Sequence, residues 1–177
     1  MTDDARQNEP GSSLRFEAGQ EFPERVTKSV EIAVPPERVW QAMTDARCIA
    51  AWMSDEAFAV ETGWRVGGPI VFRGVLHDRL RFENKGVVQA FEPPRLLQYT
   101  HWSSLSRRVM SDTLENHTVL RFELSPSGAG TRLDLTLSNM NNYAVYGHIN
   151  YYWEIALAAL QRYCEAADPA RTDAALP

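Results

Sequence analysis

The sequence is poor in the features that stabilise small secreted domains or anchor proteins in membranes. Only two cysteines, Cys48 and Cys164, occur in 177 residues. They are too few for a disulfide framework, so we expect small apolar thiols in a reducing compartment. No apolar run approaches the roughly 18–20 residues that a membrane span requires, and the polar first 20 residues contain no apolar signal core. These absences predict a cytoplasmic protein that binds no membrane.

Catalytic, metal-binding and nucleic-acid-binding signatures are missing as well. The four histidines, at positions 77, 101, 117 and 148, have none of the short spacings of zinc ligands. The chain contains no glycine-rich phosphate loop that leads into a helix, no nucleophile-elbow motif and no CxxC pair. The formal net charge is −5 and the pI is about 5.4, so the protein is negatively charged at neutral pH and repels the phosphates of nucleic acids. We therefore predict no metal, no cofactor and no nucleic-acid partner.

The length fits one domain with short tails. Residues 1–24 are mostly polar with glycine and proline, and we expect them to form a mobile N-terminal arm. Residues 168–177 have a similar composition and are expected to be a mobile C-terminal tail, which leaves residues 25–167 as the folded domain. Lys28 and Lys85 are the only lysines among 18 basic residues, a bias typical of GC-rich bacterial genomes.

The apolar pattern predicts an α+β fold. Alternation over residues 26–34 indicates a half-buried strand. Two short helices follow, the first beginning at Pro36 and the second capped by Thr44 or Asp45. Six alternating segments between residues 56 and 139 predict an antiparallel sheet, since no helix interrupts them. An amphipathic helix over residues 145–167 closes the chain. We expect a curved sheet of six to seven strands wrapped around this long helix.

Several phrases of the sequence occur in an order and spacing that resemble one known family. They are Trp52-Met53 with the Gly-Trp-Arg-Val-Gly-Gly run at 63–68, the strand–Pro-Pro–strand joint at 86–100, the hairpin at 115–133, and Tyr152-Trp153, where the family usually has Gly-Trp. Over roughly residues 26–165 the sequence resembles the activator-of-Hsp90-ATPase-like (AHSA1-like) family of the START/SRPBCC (Bet v 1-like) superfamily. The resemblance implies a helix-grip fold.

The resemblance also implies a ligand cavity between the C-terminal helix and the sheet. Its expected occupant is a small hydrophobic molecule, since aromatic walls with a few polar tips are typical of such pockets. The alternative for the aromatic residues is that they simply fill the core. The candidate ligand-binding residues are Trp52, Phe58, Trp64, Phe72, Tyr99, His101, Trp102, Phe122, Asn139, Tyr143, His148, Tyr152 and Trp153.

Four polar side chains among these candidates can converge. His148 and Tyr152 are four residues apart on the closing helix, and Tyr99 and His101 are two apart on one strand, so each pair shares a face. A cyclase or hydrolase that uses His or Tyr in the cavity is therefore one alternative. The sequence pairs no nucleophile with a base, so we assign no catalytic residue and favour binding without catalysis.

A protein-interaction module is the second alternative. It would act through the outer face of the sheet or through the loop at residues 103–116, in the manner of the family's co-chaperones. The eukaryotic co-chaperones carry a separate N-terminal Hsp90-binding domain for which this chain has no room, so we do not expect Hsp90 as a partner. The sequence leaves a homodimer open.

Overall fold

A computed structural model of the protein describes residues 14–17, 20–106 and 110–166. Much of the predicted N-terminal arm and all of the predicted C-terminal tail lie outside the described residues. The described ranges form nine strands and three helices. They are β1 (Leu14–Glu17), β2 (Gln20–Pro23), β3 (Arg25–Ile32), α1 (Pro36–Thr44), α2 (Ala46–Met53), β4 (Phe58–Thr62), β5 (Pro69–Leu76), β6 (Leu80–Glu92), β7 (Leu96–Ser103), β8 (Thr118–Ser127), β9 (Gly130–Ser138) and α3 (Tyr143–Ala166).

Strands β3 to β9 form one curved sheet in the order β3-β9-β8-β7-β6-β5-β4, and every neighbouring pair is antiparallel. Helix α3 lies across its concave face, and α1 and α2 follow the first strand of this sheet. The predicted α+β helix-grip fold, with seven strands and two short helices, is confirmed. Between β7 and β8 the described chain contains two short 3₁₀ turns, Ser104–Ser106 and Leu114–Asn116.

The short helices α1 and α2 begin where local chemistry favours it. Pro36 occupies the first turn of α1, where a missing backbone N–H costs nothing. Of the two caps considered for α2, Asp45 is the one used, since its carboxylate accepts hydrogen bonds from the backbone of Arg47 at 2.8 Å and of Cys48 at 3.3 Å. These bonds lower the pKa of Asp45. The result is a tight corner between the helices.

Helix α3 is fastened along the edge strand β3. Gln161 donates from Nε2 to the Glu31 carbonyl at 2.9 Å, and the Ala33 backbone N–H donates to Glu165 Oε1 at 3.0 Å. Lys28 and Glu154 form an ion pair at 2.5 Å. These bonds hold α3 close to β3, which is the edge strand opposite to β4.

The half of the sheet nearest β3 is lined by fully buried aliphatic side chains. Its inward side chains alternate along the strands with the period of two that their sequence predicts. Those of Leu120, Leu133, Leu135 and Leu137 are 0 % exposed, and Leu160 of α3 is buried against the same cluster. This region belongs to the hydrophobic core, which continues through Ile70, Val88 and Leu97 of the other strands.

A close approach between β6 and β7 depends on Gly86. A Cβ atom at this position would lie only 1.6 Å from the Thr100 carbonyl oxygen, so no other residue fits without moving the backbone. The pairing register between these strands shifts a little further along, between Val88 and Ala90. A β-bulge of this kind bends the strand and increases its twist. The sheet therefore curves where β6 and β7 cross beneath α3.

Part of the segment predicted as an arm contacts the core. Strands β1 and β2 form a separate two-stranded sheet. Phe22 is 2 % exposed, and its ring lies 6.0 Å from that of Tyr143 and 5.5 Å from that of Tyr146, between centroids. Core contacts thus begin before residue 25, while the mobility of the arm and tail stays a prediction.

No helix in the part of the chain that the structure describes is long and apolar enough to cross a membrane. Cys48 and Cys164 are free thiols, and Cys164 is buried. The cytoplasmic location stays a prediction.

Candidate ligand pocket

A pocket of about 200 Å³ lies between the N-terminal half of α3 and the β4–β7 half of the sheet. A cavity of about 150 Å³ lined by apolar side chains accepts benzene, so this space suits a molecule of one or two rings. Its lining residues are Met53, Ser54, Phe58, Phe72, Leu76, Phe82, Asn84, Tyr99, His101, Ser103, Leu105, His148, Ile149, Tyr152 and Trp153.

The floor of the pocket is set by the register of three neighbouring strands. Phe58 and Phe82 both pair with Gly74, which lies between them on β5. A Cβ atom on Gly74 would lie 2.6 Å from the ring of Phe82 and 3.2 Å from that of Phe58. Because glycine leaves this space free, the two rings approach to 6.2 Å between centroids. They form a continuous apolar surface.

The inner wall is a series of aromatic rings that runs from the sheet to the helix. Tyr99 lies 6.0 Å from Phe72 and 5.9 Å from Phe122, between ring centroids. Phe122 in turn contacts Trp153 of α3 at 5.2 Å, and Trp153 contacts Tyr152 at 5.5 Å, both in edge-on geometry. Aromatic pairs at these distances attract one another. The wall is therefore held in one arrangement before any ligand arrives.

Tyr99, His101, His148 and Tyr152 all line this pocket, so the four polar side chains expected to converge do so. The hydroxyls of Tyr99 and Tyr152 make no hydrogen bond to another described residue. Burial raises the pKa of both phenols, that of Tyr152 to about 12, and Tyr99 is further raised by its neighbour Tyr152. Both hydroxyls are consequently protonated at neutral pH and available as donors.

His101 is uncharged at neutral pH. Burial lowers its pKa to about 4, and the nearby His117 and His148 act in the same direction. His148 is exposed and lies at the rim. Among the described lining residues there is no Asp, Glu, Lys or Arg. No carboxylate within that lining orients either imidazole.

Asn84 adds an uncompensated polar group beside the tyrosines. It pairs with Phe72 on β5 and with Ser103 on β7, which places it in the middle of the floor. Its side-chain oxygen is buried without a hydrogen-bond partner in the described part of the chain. Buried polar atoms are normally hydrogen-bonded. The amide of Asn84 is therefore a further recognition group.

Three predicted residues line only a second, much smaller cavity, to which Phe72, Tyr99 and Trp153 of the pocket also contribute. Trp52, Trp64 and Phe122 line a space of about 20 Å³, which has room for about one water molecule. The indole N–H of Trp52 donates to the Ala42 carbonyl at 2.9 Å, and that of Trp64 to the Thr44 carbonyl at 2.8 Å. The first bond joins α2 to α1, and the second fastens the α1–α2 corner to the loop that follows β4.

Three further predicted residues line neither cavity. Trp102 follows His101 on β7 and so points to the opposite face, where its indole N–H donates to the Met110 carbonyl at 3.3 Å. Asn139 donates to the carbonyls of His117 at 2.7 Å and Glu115 at 3.1 Å, which fixes the preceding loop. Tyr143 is 41 % exposed and contacts Phe22. The structure does not bring these three to the pocket.

Eight lining residues were missed by the sequence reasoning. The spacing of residues points to several of them, because residues two apart on a strand, or three or four apart on a helix, share a face. Phe82 and Asn84 are two apart on β6, and Ser103 follows His101 by two on β7, so each shares a face with a pocket residue. Ile149 precedes Tyr152 by three on α3. The full set is Met53, Ser54, Leu76, Phe82, Asn84, Ser103, Leu105 and Ile149.

Comparison with known proteins places this architecture in a family. The model of the activator of Hsp90 ATPase homolog 1-like proteins matches residues 33–165. The chain belongs to this family. In the described ranges no group of three or more His, Cys, Asp or Glu side chains is placed to hold a metal ion.

Solved structures of bacterial proteins share the fold of this chain. A protein of Cytophaga hutchinsonii is 27% identical, with a TM-score of 0.66 over 80% of this chain and 94% of its own. CalU16 of Micromonospora echinospora is 20% identical, with a TM-score of 0.60 over 92% of this chain and 87% of its own. The Aha1 dimer of Colwellia psychrerythraea is 19% identical, with a TM-score of 0.62 over 80% of this chain and 96% of its own. A search of curated proteins finds no match.

Proposed function

We propose that this protein binds a small, uncharged hydrophobic molecule in the pocket between α3 and strands β4–β7. The observation that carries the proposal is an apolar, ring-lined space of about 200 Å³ whose polar groups are the hydroxyls of Tyr99 and Tyr152, which bond to no other described residue, and the buried, unpaired oxygen of Asn84. A pocket built only for packing would leave neither the space nor the unmade hydrogen bonds. A ligand supplies both the missing contacts and the missing partners.

The lining also limits the charge of the ligand. Affinity comes mainly from burial of apolar surface, at roughly 25 cal/mol per Å². An ionised group placed among Phe58, Phe82 and Ile149 finds no opposite charge in the described lining. Burial of an unpaired charge is costly, so the pocket favours neutral molecules over organic acids and amines of the same size.

A hydrocarbon probe tests the proposal without any polar contact. We expect indane to bind to the wild-type protein in calorimetric titration. Ile149→Trp places a larger side chain in the pocket and should weaken indane binding by more than about tenfold, because the apolar contact area is lost. Ile155→Trp is the matched control on α3, since Ile155 is 51 % exposed and does not line the pocket.

Two results would contradict the proposal. The first is no heat of binding with indane in either the wild type or the Ile155→Trp control. The second is equal affinity in all three proteins. Native mass spectrometry of gently purified protein provides an independent check, since a retained neutral molecule of small mass should be present in the wild type and absent from Ile149→Trp.

Self-association is the second candidate function. Tyr151 and Ile155, one turn apart on the outer face of α3, are 69 % and 51 % exposed. Beside Ile155 lies a surface groove between α2 and α3 that also includes Ala159, with Asp55 and Arg162 among its charged residues. The Colwellia relative is described as a dimer. Light scattering after size exclusion tests the idea: a dimer that Ile155→Arg converts to a monomer supports it, and a wild-type monomer at high concentration refutes it.

A further inference from the structure

We infer that the ligand carries a carbonyl oxygen on a ring system, and that the hydroxyls of Tyr99 and Tyr152 both donate hydrogen bonds to that oxygen. This inference rests on the proposed function and identifies the chemical class that the pocket selects. It assigns the two tyrosines as the residues that determine specificity, whereas the surrounding rings supply affinity.

The position of the two hydroxyls supports this assignment. Tyr99 belongs to β7 and Tyr152 to α3, so they approach the same pocket from opposite sides. They are close enough for an electrostatic interaction between them. Neither hydroxyl is bonded to another described residue. A hydroxyl that lines the pocket and bonds to no other described residue is free to donate to a ligand atom between the two rings.

The chemistry of the two phenols identifies the matching group. Both retain their protons at neutral pH, since burial raises their pKa values. Each therefore presents an O–H donor. A carbonyl oxygen has two lone pairs and can accept from both donors at once. A ligand alcohol would bring a further O–H donor to the same point, and a carboxylate would bring a charge that the described lining does not neutralise.

The aromatic lining of the space agrees with a ring compound. Phe58 and Phe82 close over Gly74 on the floor, and Trp153 contacts Phe122 on the wall. Asn84 lies between these surfaces with its unpaired oxygen. A cyclic ketone fused to an aromatic ring places its carbonyl at one end and its apolar body against the phenylalanines. The probe of this class that we use is 1-indanone, which has the carbon skeleton of indane.

The test compares 1-indanone with indane in four proteins: wild type, Tyr99→Phe, Tyr152→Phe and the control Tyr151→Phe. Tyr151 is the adjacent, exposed tyrosine of α3. Loss of one hydrogen bond weakens binding about three- to tenfold. We expect that loss for 1-indanone in both Tyr99→Phe and Tyr152→Phe, whereas indane should bind within about twofold of the wild type. Tyr151→Phe should leave both ligands unchanged.

Three results would overturn the inference while leaving the proposed function intact, provided that indane still binds. One is unchanged 1-indanone affinity in Tyr99→Phe and Tyr152→Phe. Another is an equal loss for indane, which would indicate a general change of the pocket instead of a lost hydrogen bond. The third is tighter binding of 1-indanol than of 1-indanone by the wild type. Failure of indane itself to bind refutes the proposed function and this inference together.

Discussion

The space between α3 and the sheet is filled differently on its two sides. Towards β3, β9 and β8, leucines such as Leu133 and Leu135 are completely buried in the core cluster. Towards β4–β7, large rings surround a space of about 200 Å³. The bonds that fasten α3 to the sheet lie along β3, at residues such as Gln161 and Glu165. We call the side towards β3, β9 and β8 the closed half and the side towards β4–β7 the open half. The closed half supplies stability, and this leaves the open half available for a ligand.

Two glycines of the sheet, Gly86 and Gly74, provide the strongest test of this contrast. Gly86→Ala should destabilise the protein by about 3 kcal/mol or more, or prevent folding, since its Cβ would overlap the Thr100 carbonyl. Gly74→Ala meets only the ring of Phe82 and the more distant Phe58, which can rotate. It should fold and bind indane with altered affinity. Urea denaturation of both variants checks the difference, and equal stability losses would contradict the account.

Truncation of matched leucines compares the same two regions. Leu135→Ala removes a fully buried side chain from the closed half and should cost about 3 kcal/mol of unfolding free energy. Leu76→Ala removes a half-buried side chain that already faces the pocket and should cost about 1 kcal/mol. Chemical denaturation measures both. A larger loss for Leu76→Ala than for Leu135→Ala would reverse the assignment of the stabilising half.

Acid should lower the free energy of unfolding of the protein because His101, in the open half, is protonated more readily in the unfolded chain. Its pKa is about 4 in the folded protein and about 6.5 when unfolded. Between these values the unfolded chain binds a proton that the folded chain does not. Stability is therefore highest above pH 6.5 and is lost as the pH falls towards 4. We expect wild type to lose on the order of 2 kcal/mol more than His101→Asn between pH 7 and pH 4.5.

The control for this pH dependence is His77→Asn. His77 is exposed, lies in a turn and does not line the pocket. Its replacement should leave the wild-type dependence of stability on pH unchanged. The same slope in His101→Asn as in the wild type would show that His101 does not lose its proton on folding.

The closed half was more predictable from the sequence than the open half. Alternation over Leu133, Leu135 and Leu137 and the helical stripe through Trp153 and Leu160 place these residues in the core, where the structure has them. Such patterns depend only on the period of a strand or a helix.

The boundaries of the pocket depend on contacts between elements distant in the chain. The sequence predicts Trp52 and Trp64 as ligand-binding aromatics. Their indole N–H groups instead donate hydrogen bonds to backbone carbonyls at the α1–α2 corner. Trp102 was assigned beside His101, although neighbouring residues on a strand face opposite sides. Asn84 was missed, since its role follows from its register with Phe72 and Ser103. Register and sheet curvature are properties of the assembled sheet.

The most direct test of the central claim is a map of where a hydrophobic probe binds. Addition of indane to isotope-labelled protein should shift the NMR signals of Phe82, Tyr99, Ile149 and Tyr152 most strongly, since these residues line the pocket. Signals of Leu133 and Leu135, in the closed half, should change little. Shifts centred on that closed half or on the outer face of α3, or no shifts at all, would contradict the account.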